Sequence, residues 1–134
     1  MFKIDTSEKY RTIRVEKDRF DANLTAEITT ALQNADGMLQ GNLIWDLREV
    51  EQMDEDSLSI LEIIYESCYA NGYSCCIVCG RSPVARILKK RNQDWNLVPT
   101  LSEAVELIGL EEMERLLQQS SPDTEPDDES EKLS

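Results

Sequence analysis

The chemistry of this sequence gathers in Asp54-Glu55-Asp56, followed at once by Ser57 and, two positions on, by Ser59. Three carboxylates just ahead of a helical run suit two jobs. At a helix N-terminus a carboxylate accepts hydrogen bonds from unpaired N–H groups and meets the positive end of the dipole, worth about 0.3–1 kcal/mol. Three adjacent like charges also repel, and one cap is enough, so the others are available to a partner. Capping is the preferred reading for Asp54; for the triplet as a whole, capping and partner recognition both stand. Ser57 and Ser59 carry hydroxyl oxygens, the atoms a kinase needs to attack a γ-phosphoryl group. Ordinary first-turn helix residues are the default for both. Ser57, directly after Asp56, is the stronger phosphorylation candidate.

The second reactive group is cysteine: Cys68, Cys75, Cys76 and Cys79. Cys76-x-x-Cys79 has redox spacing. On a strand, however, residues three apart point to opposite faces about 10 Å from each other, beyond disulfide reach. There is no histidine, which removes most hydrolytic triads, most zinc sites and the commonest general base. The cysteines read as small buried hydrophobes. No metal, cofactor or catalytic residue is expected.

Several elements must position the acidic triplet. Leu43–Leu47 is a short apolar run with Asp46 inside it, a buried strand. Arg48–Met53 reads as the loop leaving it. From Ser57 to about Asn71 the pattern is helical, with Leu58, Leu61, Tyr65 and Cys68 on one stripe and Gly72 as the stop. Upstream, Phe2–Ile4 and Tyr10–Val15 read as a β-hairpin. A helix from about Leu24 to Ala35 follows, with Asn23 as cap and Gly37 as stop. Downstream, Ser74–Cys79 is a second buried strand. Ser82-Pro83 opens a helix whose end carries Lys89, Lys90 and Arg91, where cations suit the dipole. Trp95–Val98 is a last strand. Thr100 to Glu103 forms a capping box, and the helix after it runs to about Gln119. Gly109 shifts its apolar phase to Leu110, Met113 and Leu117, so a kink or a split is expected there. Strands alternating with helices make an α/β fold. A mixed, mainly parallel sheet of about five strands is expected, with four or five helices. The core should hold Ile13, Val15, Phe20, Ile28, Leu32, Leu43, Ile44, Leu47, Leu58, Leu61, Ile77, Val78, Ile87, Leu88, Leu97, Val105 and Ile108.

One domain, residues 1–119, fits this length, and 120–134 reads as a disordered acidic tail. That tail has two prolines, six acids against Lys132 and one large apolar residue, Leu133, too little to offset the entropy of ordering. Its default role is solubilising; competition for a basic partner surface is the alternative. The net charge of −13 repels phosphate backbones and anionic lipid, against nucleic-acid or membrane binding. No signal-peptide pattern or spanning apolar run occurs, so a cytoplasmic protein is expected.

The run Trp45 to Asp54, then Glu55-Asp56-Ser57 and the helix leucines Leu58 and Leu61, resembles the STAS domain family of bacterial anti-sigma-factor antagonists. The resemblance covers about residues 2–119 and extends through Gly72, the strand to Cys79, Pro83–Leu88 and Thr100–Val105. The family's Asp-Ser-Ser-Gly motif falls on Asp54-Glu55-Asp56-Ser57. The resemblance implies a non-enzymatic module in a partner-switching pathway. Its partner would be an anti-sigma factor that is also a serine-protein kinase of the histidine-kinase-like ATPase type. In the family, the kinase phosphorylates the second serine and so breaks the complex. Asp56 stands there instead and offers no hydroxyl. Its charge near −1 only partly imitates a phosphoserine of about −1.5 to −2. The expectation is a corner held in a phosphorylated-like state, or one adapted to a partner that reads acid, with Asp54, Glu55, Asp56, Ser57 and Ser59 forming it. A homodimer stays open.

Two other readings compete. STAS-type scaffolds or ligand-binding modules need not touch sigma factors, and Gly80-Arg81-Ser82 at a helix start could hold an anion. Lys89-Lys90-Arg91 could dock an acidic partner, although a solvated helix end is the default. A phosphoaspartate receiver shares the alternating architecture but needs an aspartate ending a central strand and a lysine after the last. Asp46 lies within its strand in this reading, and Leu97-Val98-Pro99-Thr100 has no lysine.

Overall fold

The computed structural model describes residues 1–36 and 41–124. The chain runs β1 (Phe2–Thr6), β2 (Tyr10–Val15), β3 (Arg19–Phe20), α1 (Ala22–Asp36), β4 (Asn42–Asp46), β5 (Gln52–Met53), α2 (Glu55–Ala70), β6 (Cys75–Val78), α3 (Val84–Arg91), β7 (Leu97–Val98) and α4 (Leu101–Thr124). Five strands form one sheet in the order β1-β2-β4-β6-β7. β1 and β2 are antiparallel, the N-terminal hairpin, and the other three pairings are parallel. The α/β architecture expected from the sequence, with a mixed and mainly parallel sheet, is the one observed.

The alternation of side chains along each strand divides the core. Leu43 and Trp45 of the central strand, with Leu47 just past its end, join Ile13, Val15, Cys75, Ile77 and Cys79 beneath α1, α2 and α3. Ile44, Cys76 and Val78 point the other way, where Ala104 and Ile108 of α4 cover them. All five residues of β4 are buried, which is why its sequence runs apolar rather than alternating. Of the expected core, Ile87, Leu97 and Val105 are half-buried and the rest are buried. The α2 stripe is seated by Leu58, Leu61, Ile64, Tyr65 and Cys68. Truncating the fully buried Leu61 to alanine is expected to cost about 2–5 kcal/mol and loosen the helix that carries the site.

Several local expectations shift. The first α2 turn begins at Glu55, not Ser57: Glu55 and Asp56 are themselves helical, and Asp54 is the extended cap before them. Asp21, not Asn23, caps α1: its Oδ1 accepts from Leu24 N–H at 3.0 Å. The stretch Arg48–Met53 is not all loop, since β5 pairs with β3 as a separate two-stranded parallel ribbon. α4 is one continuous helix through Gly109, so the chain is not split into two helices there. A solvent-facing glycine costs a helix only about 1 kcal/mol, and α4 is anchored on both sides of it. Its backbone continues past the boundary drawn at 119 to Thr124, while the rest of the acidic tail, 125–134, and the helix stop at Gly37 lie outside the described residues. Gly72 ends α2 as expected, with φ +83° and Tyr73 N–H reaching back to the Cys68 carbonyl at 2.8 Å.

Candidate functional site

The β3–β5 ribbon places the acidic corner. It ties the chain before α1 to the chain before α2, with Phe20 opposite Met53, so Asp54 emerges beside the start of α1. Asp54 is the N-cap of α2. Its Oδ1 accepts from Ser57 N–H at 2.8 Å and its Oδ2 from Ala22 N–H at 3.2 Å. The Ser57 hydroxyl lies against the same carboxylate without normal hydrogen-bond geometry. This hydroxyl and the two N–H groups hold the Asp54 carboxyl below the usual carboxylate range.

The three acids have three different situations. Asp54 is spent on caps. Glu55 forms an ion pair with Arg91 from the end of α3. Asp56 is exposed, and its side chain makes no hydrogen bond or ion pair among the described residues. Ser57 is wholly buried, so a kinase can reach its oxygen only if the first turn of α2 opens. Ser59 is half-buried and its hydroxyl accepts from Arg91 Nη2 at 3.0 Å.

Arg91 is the member that sequence reasoning missed. Besides Glu55 and Ser59 it donates from Nε to Glu62 at 3.1 Å, so one guanidinium spans two turns of α2. The signal was present as a polar stripe, Glu55, Ser59 and Glu62 at i, i+4 and i+7, opposite the apolar one. Its partner could not be read, because Arg91 lies far along the chain.

Beneath the corner, β4 ends at Asp46, one residue earlier than the strand drawn from sequence, so Asp46 is terminal rather than internal. It remains engaged: Arg48 holds it with Nε at 2.9 Å and Nη2 at 2.7 Å. Burial alone would raise this carboxyl, but the Arg48 hydrogen bonds and charge hold it below the ordinary range. Gly80, at φ +58°, makes room for Arg48, since a Cβ there would meet Arg48 Cγ at 3.1 Å.

The competing groups are otherwise occupied. Ser82 donates to the Val50 carbonyl and accepts from Val84 N–H at 3.1 Å, so it serves as a cap. All four cysteines are free and buried. Cys75 and Cys79 lie on one side of the sheet and Cys76 on the other. Burial pushes the Cys76 thiol up to about 12 and Cys79 to about 11.

The fold has solved counterparts. The anti-sigma factor antagonist SpoIIAA in its unphosphorylated form superposes with a TM-score of 0.62 at 16% identity, over 81% of this chain and 97% of that one. The phosphorylated form of this Bacillus cell fate determinant gives 0.63 at 16%, over 81% and 99%. An anti-sigma factor antagonist from Mycobacterium paratuberculosis gives 0.63 at 21% identity, over 81% and 92%. Both SpoIIAA forms fit alike, so the backbone does not choose between them. No curated protein matches the sequence at a significant level. The sequence matches the STAS domain over residues 5–107, and the chain belongs to the STAS domain family.

Proposed function

We propose that the chain is a protein-binding module of a partner-switching pathway, an anti-sigma-factor antagonist working in the cytoplasm. Its partner is an anti-sigma factor that is also a serine kinase with a histidine-kinase-like ATPase fold. It acts by binding and performs no catalysis. The observation that supports this is the exposed Asp56 on the first turn of α2, where the family motif carries its switchable serine. Glu55, Ser57 and Ser59 frame it, and Asp54 and Arg91 hold the turn rigid. A fixed negative charge there leaves nothing for the kinase to add at this position. Regulation by phosphorylation then falls to Ser57, conditional on the turn opening, or the corner is constitutively in one state.

The test is a pull-down of the full chain with the host's anti-sigma kinases, with and without ATP, followed by mass spectrometry of the recovered chain. Capture of such a kinase supports the reading. Failure to retain any of them under both conditions contradicts it.

A further inference from the structure

Where α4 leaves the sheet, its amphipathic sense is inverted. The side chains turned toward the body are charged. Glu111 accepts from the Tyr69 hydroxyl at 2.8 Å and from the Ser74 hydroxyl at 2.6 Å. Glu112 accepts from Asn42 Nδ2 at 2.9 Å, and Arg115 donates to Ser74 Oγ at 3.0 Å. Asn42 and Ser74 are themselves buried, so rolling the helix would strip buried polar groups of their partners, at about 1–3 kcal/mol for each. The helix is therefore fixed with its leucines outward: Leu110, Met113, Leu116 and Leu117 are each 60–65% exposed. Their spacing makes one continuous stripe. Between this stripe and the β1–β2 turn at Lys9 lies a concavity of about 550 Å³, floored in part by Gly109.

The charge around the stripe selects its occupant. Exposed Glu106 and Glu114 border it, and the whole chain carries −13. A second copy would bring the same acids against each other, whereas a basic segment is attracted. A stripe at i, i+3 and i+7 on a rigid helix matches the apolar face of another helix. We infer that the C-terminal half of α4 docks a basic amphipathic helix of a partner protein. This surface does not depend on the function proposed above. Asn42 opens β4 and Ser74 precedes β6, so the surface lies at the opposite end of the strands from Asp56, about 16 Å away along a five-residue strand. Both surfaces can be occupied together.

The probe is a labelled leucine/lysine amphipathic peptide of about 14 residues, roughly four helical turns, titrated against the full chain. A leucine/glutamate peptide of the same pattern is the control. Binding of the first peptide and not the second is expected. The double variant Leu110→Gln/Leu117→Gln changes only exposed side chains and should weaken binding about tenfold. Glu106→Gln/Glu114→Gln should flatten its salt dependence. Undiminished binding by the leucine variant would mean unspecific charge attraction and would overturn the inference. So would a concentration-dependent dimer that the same leucine substitutions abolish while the peptide fails to bind.

Discussion

Asp54 reaches across 32 positions of sequence to Ala22, and the same carboxylate caps its own helix through Ser57 N–H. Two helix N-termini thus share one acceptor group, and the orientation of α2 against α1 depends on it. Asp54 is accounted for by architecture, before any partner is considered.

Replacing Asp54 with alanine removes the α2 cap and the bond to Ala22 together. The expected loss is about 1–2 kcal/mol, at the upper end for a cap, read as a lower urea midpoint with an unchanged slope. A stability equal to wild type would show that the shared cap contributes nothing.

Arg91→Ala should act locally. Glu55, Ser59 and Glu62 lose their common donor, so amide exchange in the first two turns of α2 should quicken while the β4 and β6 amides keep their protection. Uniform exchange across both regions, or none of the expected quickening, would deny Arg91 its positioning role.

Acid should weaken the fold through Asp46. Arg48 keeps its carboxyl below the ordinary value in the folded chain, so the unfolded chain binds the proton first as pH falls. The stabilisation is present above about pH 4 and is lost as pH drops through the folded value. The gap in urea midpoint between wild type and Asp46→Asn should be open at pH 7 and close toward pH 3. A gap constant over that range contradicts the pairing.

Thiol chemistry offers a separate check. With all four cysteines buried and Cys75, Cys76 and Cys79 held above the usual thiol range by burial, the native protein should react slowly with a disulfide reagent, and fully only when unfolded. Two thiols reacting quickly in the native state would restore a redox role for Cys76 and Cys79.

Much of this was legible from local pattern. The apolar runs around Trp45 and Ile77 announced buried strands, and the α2 stripe announced its buried face. Gly72 marked the end of α2 because only a local backbone conformation was at stake. Two-residue strands such as β3 and β5 carry too few side chains to show a period, so the ribbon that sets Asp54 beside Ala22 was hidden. Arg91 read as a helix-end cation, since its contacts on α2 depend on how α3 docks. The phase shift at Gly109 was visible in Leu110, Met113 and Leu117, but its direction was not. Which side of α4 meets the body was decided by Asn42, Tyr69 and Ser74, all distant in sequence.

The central claim is that Asp56 occupies the recognition point of this corner. A titration of wild type and Asp56→Ser against the anti-sigma kinase proposed as the partner, before and after incubation with ATP, tests it most directly. The serine variant should bind with a changed affinity, take up phosphate at the new hydroxyl and then lose the partner, while wild type shows no phosphate at position 56. Equal affinities for the two proteins, with and without ATP, would contradict the claim.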